Sequence, residues 1–203
     1  MSTRVKICGV RSLADASVAA NAGAWAVGFN FFRQSRRYLA PEQARQIAAA
    51  LPAEVQRVGV FVNSPRSEME AIVETVGLTM LQFHGDEPPE LCCDWPVPTI
   101  KALRWRDRNT AVAAQAYAVD FVLADAYVEG AFGGTGKKID PELLRDIEPA
   151  RLILAGGLTP DNVGELVARL HPYAVDVASG VESEPGVKDA TMIRRFIENA
   201  NLT

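Results

Sequence analysis

Glycines and polar residues gather at the ends of short apolar runs in this sequence, in a pattern that suits acid–base chemistry beside an anion site. Leu152–Gly157 (LILAGG) runs into Gly156 and Gly157, and Ala174–Glu182 (AVDVASGVE) repeats the arrangement one unit later with Ser179 and Gly180. Glycines let backbone N–H groups approach an anion closely, and a helix N-terminus adds favourable partial charge. Two such pairs in consecutive units favour a phosphate site over mere tight turns. A third glycine run, Gly133-Gly134-Thr135-Gly136, precedes Lys137, a solvated loop lysine or a second anion contact. Cys8, followed by Gly9, reads as a small core residue or as a base or nucleophile. Asp125 ends the run Phe121-Val122-Leu123-Ala124, as a cap or turn residue or as an acid. Asp176 lies inside an apolar run, where a buried pair with Lys6 is the plain reading. His84 shares a strand face with Gln82, and His171 before Pro172 reads as a turn residue. Arg36 and Arg37 are either surface charges or, beside Phe31, Phe32 and Tyr38, a place for an aromatic acid.

The elements that must position these residues alternate. Strands are predicted from Val5 (VKIC), Trp25 (WAVGFNF), Gln56 (QRVGVFV), Met80 (MLQFH), Thr99 (TIKAL), Phe121 (FVLAD), Leu152 (LILAG) and Ala174 (AVDVAS). Helical patterns separate them: Ser12–Ala22, Pro41–Leu51, Pro65–Val76, a short Pro88–Cys93, Arg106–Tyr117, Pro141–Ile147, Pro160–Leu170 and Asp189–Ala200. Several open on proline or on a Ser, Asn or Asp cap. Strand-helix alternation implies parallel pairing with right-handed crossovers. Eight units about 24 residues apart point to a (β/α)8 TIM barrel of the α/β class, one domain over 1–203. An open doubly wound sheet is the weaker reading, because no G-x-G-x-x-G follows the first strand. In a barrel, chemistry sits at the carboxyl ends of the strands, and that is where these residues fall.

Composition narrows the function classes. The 203 residues are 48% hydrophobic and 23% charged, values that exclude disorder, collagen and coiled coil. A net charge of -4 without a basic block argues against a nucleic-acid partner. The longest uncharged stretch, Ala16 to Phe32, is broken by Asn21, Gly23, Gly28 and Asn30, so no membrane span or signal peptide is expected. Three cysteines make no C-x-x-C pair and two histidines no H-E-x-x-H, so no metal site is expected. Reduced cysteines suit the cytoplasm.

Taken in order, several segments resemble the phosphoribosylanthranilate isomerase family of tryptophan biosynthesis. They are Lys6-Ile7-Cys8-Gly9, Val27-Gly28-Phe29 through Ser35-Arg36-Arg37-Tyr38, Val58-Gly59-Val60-Phe61-Val62-Asn63 and Leu81-Gln82-Phe83-His84-Gly85. Gly133-Gly134-Thr135-Gly136-Lys137, Ala155-Gly156-Gly157-Leu158 and Val175-Asp176-Val177-Ala178-Ser179-Gly180-Val181-Glu182 complete the set, which spans the chain. It departs from the family where Ile139-Asp140-Pro141 replaces Phe-Asp-Trp and Ala124 replaces a leucine. The resemblance implies an Amadori rearrangement of an anthranilate N-glycoside of ribose 5-phosphate, without a cofactor. It assigns the general base to Cys8 and the general acid to Asp125, which requires a deprotonated thiol and a protonated carboxyl. It assigns the anthranilate carboxylate to Arg37, adds His84 and Asp176 to the substrate side, and gives the phosphate to Gly156, Gly157, Ser179 and Gly180 with Gly134, Thr135 and Gly136. The partner it implies is a small-molecule phosphosugar, bound by a monomer or homodimer. Two other readings compete: another phosphosugar barrel enzyme, epimerase-like with metal-binding histidines or aldolase-like with Lys6 or Lys101 as Schiff base, and a non-catalytic phosphometabolite binder.

Overall fold

The computed structural model describes residues 3–105, 107–126, 144 and 147–202. Eight barrel strands are found among these residues: β1 (Arg4–Cys8), β2 (Ala26–Asn30), β3 (Gln56–Phe61), β4 (Met80–Phe83), β5 (Thr99–Trp105), β6 (Phe121–Ala126), β7 (Leu152–Ala155) and β8 (Ala174–Val177). They close into a parallel barrel in sequence order. The seam is the β1–β8 pairing, which sets Lys6 opposite Asp176. Helices α1 (Leu13–Asn21), α2 (Pro41–Ala49), α3 (Arg66–Val76), α4 (Pro89–Cys92), α5 (Arg108–Ala114), α6 (Val163–Leu170) and α7 (Ala190–Ala200) lie between and after the strands. The expected (β/α)8 barrel is the fold found.

Local chemistry explains the element ends. Ser12 accepts from Asp15 N–H, Asp107 from Thr110 N–H, and Asp189 from both Thr191 and Met192 N–H, each capping a helix start. Gly77, at φ 69°, ends α3 in the left-handed conformation that glycine adopts without strain. One helix start differs from expectation. The segment at Pro160 does not open α6, which begins at Val163. Asn162 instead folds back, its Oδ1 accepting from Thr159 N–H at 2.8 Å and its Nδ2 donating to the Gly157 carbonyl at 2.9 Å. Those bonds satisfy the turn locally and delay the helix. The expected helix at Pro141–Ile147 falls almost wholly outside the described residues.

A second departure follows β8. A single 3-10 turn, Ser179–Val181, leads into β9 (Glu182–Glu184), which pairs antiparallel with β10 (Val187–Lys188). Pro185-Gly186 makes the turn, with Gly186 at φ 87°. This hairpin was not expected.

Two apolar regions hold the barrel. Most of the core lies between sheet and helices, and includes Val5, Ile7, Val27, Phe29, Phe61, Leu81, Phe83, Val175 and Phe196. The barrel's own interior holds Ala26, Val58, Met80, Ile100, Leu123, Ile153 and Ala174. Trp25, Phe121 and Tyr173 pack against that interior from the strands' amino ends, and Arg4 lies 4.4 Å over the Tyr173 ring. With that end filled, the polar inward positions collect at the carboxyl ends. No helix among the described residues is long and apolar enough to cross a membrane.

Candidate active site

Cys8 ends β1 on the face it shares with Lys6, opposite Gly28 of β2. A methyl group at Gly28 would stand only 2.9 Å from Cys8 Sγ and 3.2 Å from Lys6 Nζ. The glycine therefore makes room for the sulfur and the ammonium side by side. Lys6 Nζ donates to Asp176 Oδ1 at 2.9 Å, both groups buried, across the barrel seam. Pairing at this distance offsets part of the cost of taking both charges out of water. The Asp176 and Cys8 partners hold the Lys6 ammonium above its ordinary value although burial opposes them.

Those same neighbours act on Cys8. Burial, reinforced by the Asp176 carboxylate, pushes its thiol up, while Lys6 and Lys188 pull it down. The direction is opposite to that of the deprotonated thiol which the resemblance implies. The reason is physical: burial disfavours the thiolate more than the charges of Lys6 and Lys188 favour it.

Asp125 ends β6, in register with Arg104 of β5 and Ala155 of β7. Its Oδ2 lies 3.6 Å from His84 Nε2. Across the imidazole, His84 Nδ1 meets Gln82 Nε2 at 2.8 Å. The inward pair expected from period-2 spacing is present, and it turns the ring toward Asp125. Gln82 Oε1 is buried without a hydrogen-bond partner among the described residues.

Arg37 lies between β2 and α2, its backbone N–H bonded to Ser35 Oγ at 3.1 Å. Its side chain runs across Gly9, where a Cβ would collide with it; Gly9 sits at φ 73°. The guanidinium then forks onto Glu182, Nε and Nη2 each donating at 2.7 Å. Sequence reading placed Arg37 at the site but missed Glu182 and Lys188. The available signal was Pro185-Gly186, a turn dipeptide just beyond the phosphate motif.

The loops after β7 and β8 meet. Gly156 and Gly157 take φ values of 81° and 65° after β7. Gly180 lies so close to the Leu158 carbonyl that any Cβ there would overlap it. The β7 and β8 loops are thereby brought into backbone contact, as a shared anion cradle would need. Gly134, Thr135 and Gly136, like Lys137 and the Ile139-Asp140-Pro141 departure, lie outside the described residues. Ala124, where the family has leucine, is fully buried in the outer core.

The two lysines of the barrel strands, Lys6 and Lys101, stand in salt bridges. Lys6 is held by Asp176, and Lys101 Nζ donates to Glu87 Oε2 at 2.6 Å and to the Gly85 carbonyl at 2.8 Å. A Schiff base needs a neutral amine, and the buried Asp176 carboxylate favours the ammonium form of Lys6. Among the described residues, no three of His, Cys, Asp and Glu come together as a metal-ligand set.

Known proteins resemble the chain over nearly its whole length. A family model described as N-(5'phosphoribosyl)anthranilate (PRA) isomerase matches residues 5–199. A relative from Pseudomonas fluorescens, an N-(5'-phosphoribosyl)anthranilate isomerase, is 50% identical over 198 residues, covering 97% of each chain. The crystal structure of phosphoribosyl anthranilate isomerase from Thermotoga maritima is similar at a TM-score of 0.91 and 41% identity, covering 98% of each chain. Another solved isomerase, in complex with reduced 1-(o-carboxyphenylamino)-1-deoxyribulose 5-phosphate, is similar at a TM-score of 0.86 and 39% identity, again over 98% of each.

Proposed function

The chain belongs to the N-(5'-phosphoribosyl)anthranilate isomerase family, and on that premise we propose that Cys8 and Asp125 are the base and acid of its reaction. The enzyme is an isomerase of tryptophan biosynthesis, converting N-(5-phosphoribosyl)anthranilate to 1-(2-carboxyphenylamino)-1-deoxyribulose 5-phosphate. The observation that carries the assignment is the placing of two proton-transfer groups at the ends of β1 and β6 on one barrel mouth. Asp125 donates its proton to the furanose ring oxygen, the C1–O bond breaks, and the ring opens to an iminium. Cys8 then removes the C2 proton, and the electron pair neutralises the iminium to give an enolamine. Reprotonation on carbon yields the ketone, so no oxidant or reductant enters. His84 Nε2, beside Asp125 Oδ2, is placed to donate to the carboxylate that the first step leaves. Lys6 and Lys188 are the counter-charges on which a Cys8 thiolate relies.

Arg37 receives the anthranilate carboxylate, and the backbone at Gly156, Gly157, Ser179 and Gly180 receives the phosphate. Support comes from the joined loops after β7 and β8 and from the exposed part of the Arg37 guanidinium. We read 1–203 as one domain working in the cytoplasm. The family match over 5–199 and three unpaired cysteines support that reading.

Turnover in deuterated water tests the acid–base pair. Cys8→Ala and Asp125→Asn should each lower kcat by roughly 10²–10⁴, the usual contribution of a positioned proton-transfer group. Exchange at C2 should almost cease without Cys8. Folded Cys8→Ala enzyme with near-native turnover would remove Cys8 from the mechanism, and the same result for Asp125→Asn would return the aspartate to a turn role.

A further inference from the structure

The hairpin after β8 carries a carboxylate saturated with donors. Glu182 Oε1 accepts from Arg37 Nε at 2.7 Å and from Lys188 Nζ at 2.9 Å. Its Oε2 accepts from Arg37 Nη2 at 2.7 Å and from the Gly186 N–H at 3.1 Å. Lys188 Nζ also donates to the Ala178 carbonyl at 2.8 Å, which ties the hairpin to the strand-eight loop. The Glu182 side chain is 3% exposed, Lys188 0% and Arg37 25%, so the carboxylate is enclosed while part of the Arg37 side chain stays accessible.

Two consequences follow. A guanidinium is planar and offers its donors in fixed edges. Glu182 takes the edge formed by Nε and Nη2, and Nη1 makes no hydrogen bond among the described residues. The end of the fork, Nη1 with the second Nη2 hydrogen, is the edge left for a ligand. With the Cys8 thiol protonated, two cations face one carboxylate, whereas Lys6 and Asp176 neutralise each other.

We propose that Glu182 is a positioning residue for the substrate's aromatic carboxylate, clamping one edge of Arg37 so that the fork's end is presented for a bidentate contact. Lys188 and the Gly186 N–H anchor the clamp from the enclosed side. This rests on Arg37 as the carboxylate partner. Arg37 thereby arrives pre-oriented, and little side-chain freedom remains to be lost when the substrate binds. The alternative role for the same contact is competition, with Glu182 occupying Arg37 until substrate displaces it. The two roles predict opposite signs.

Steady-state kinetics on the anthranilate substrate and on the corresponding N-glycoside of aniline, which lacks the carboxylate, separates them. The readout is the ratio of kcat/KM on the first substrate to that on the second, a quantity that general loss of fold does not move. In Arg37→Ala this ratio should fall by about 100-fold, the scale of one charge-assisted bidentate contact. In Glu182→Gln it should fall by about tenfold, mainly through KM. Glu182→Asp keeps the charge but is one methylene shorter, so it should also lower the ratio, and it serves if the Gln variant does not fold. A ratio unchanged or raised in Glu182→Gln, with Arg37→Ala selective, overturns the clamp and leaves Arg37 in place. An unselective Arg37→Ala overturns the underlying carboxylate assignment instead.

Discussion

Lys6 and Asp176 close the barrel seam with a buried ion pair, and cutting it at either end should give one shared response and one opposed response. Lys6 is fully buried and Asp176 7% exposed, with Nζ and Oδ1 2.9 Å apart. Asp176→Asn keeps the shape but strands an ammonium in the interior; Lys6→Met strands the carboxylate. Removing one member of a buried pair costs about 3–5 kcal/mol. For a chain of this size each kcal/mol moves Tm by about 2–4 °C, so both variants should melt roughly 6–20 °C lower. The Cys8 thiol separates them. After burial, Asp176 is the main influence raising that thiol, and Lys6 is the first to lower it. At fixed pH, Asp176→Asn should therefore speed alkylation of Cys8 by iodoacetamide, and Lys6→Met should slow it, because the thiolate is the nucleophile. The measurement belongs in a Cys93→Ser background, since Cys93 is the other partly exposed thiol. A double variant, Lys6→Met with Asp176→Val, should recover most of the lost stability, as apolar replacement of a buried pair commonly does. A Tm change below about 2 °C in the single variants, or alkylation rates moving in the same direction, would refute the account.

Acid stability should report on the hairpin clamp. Arg37 and Lys188 hold the Glu182 carboxyl at about 2 against the pull of burial, below an ordinary value of 4.5. A depressed folded-state value means stability that is present above about pH 4.5 and lost as pH falls toward about 2, up to about 3 kcal/mol. Urea midpoints for Glu182→Gln should accordingly vary less across that window than those of the native chain, and an identical pH profile would contradict the assignment. Gly180→Ala should drive the β8 loop off the Leu158 carbonyl and weaken binding of inorganic phosphate at least tenfold, as expected when backbone N–H donors to an anion are displaced. Calorimetric titration of a folded variant showing native phosphate affinity would take that loop out of the site.

How much of this was legible in the sequence depended on how local the cause was. The eight strands were legible because parallel strands, covered on both faces, appear as apolar runs, and capped or proline-led helices separate them. Cys8, His84 and Asp125 were legible as site candidates because barrel strands deliver their carboxyl ends to one mouth, whatever the loops do. Glu182 was not, since its partner Arg37 is 145 residues away and only the closed barrel sets them together. The start of α6 was misread for a smaller reason: Pro160 can open a helix or a turn, and Asn162 bonding back to Thr159 and Gly157 decides for the turn. The Cys8 shift was also beyond reach, because the sequence puts Lys6 two residues away but leaves unstated the depth of burial. These cases share one logic. The backbone pattern fixes where a group stands along the barrel axis, while its charge state follows from neighbours brought from other strands. Lys6 and Arg37 became intelligible only with the carboxylates that face them, which the closed barrel brings from 170 and 145 residues away.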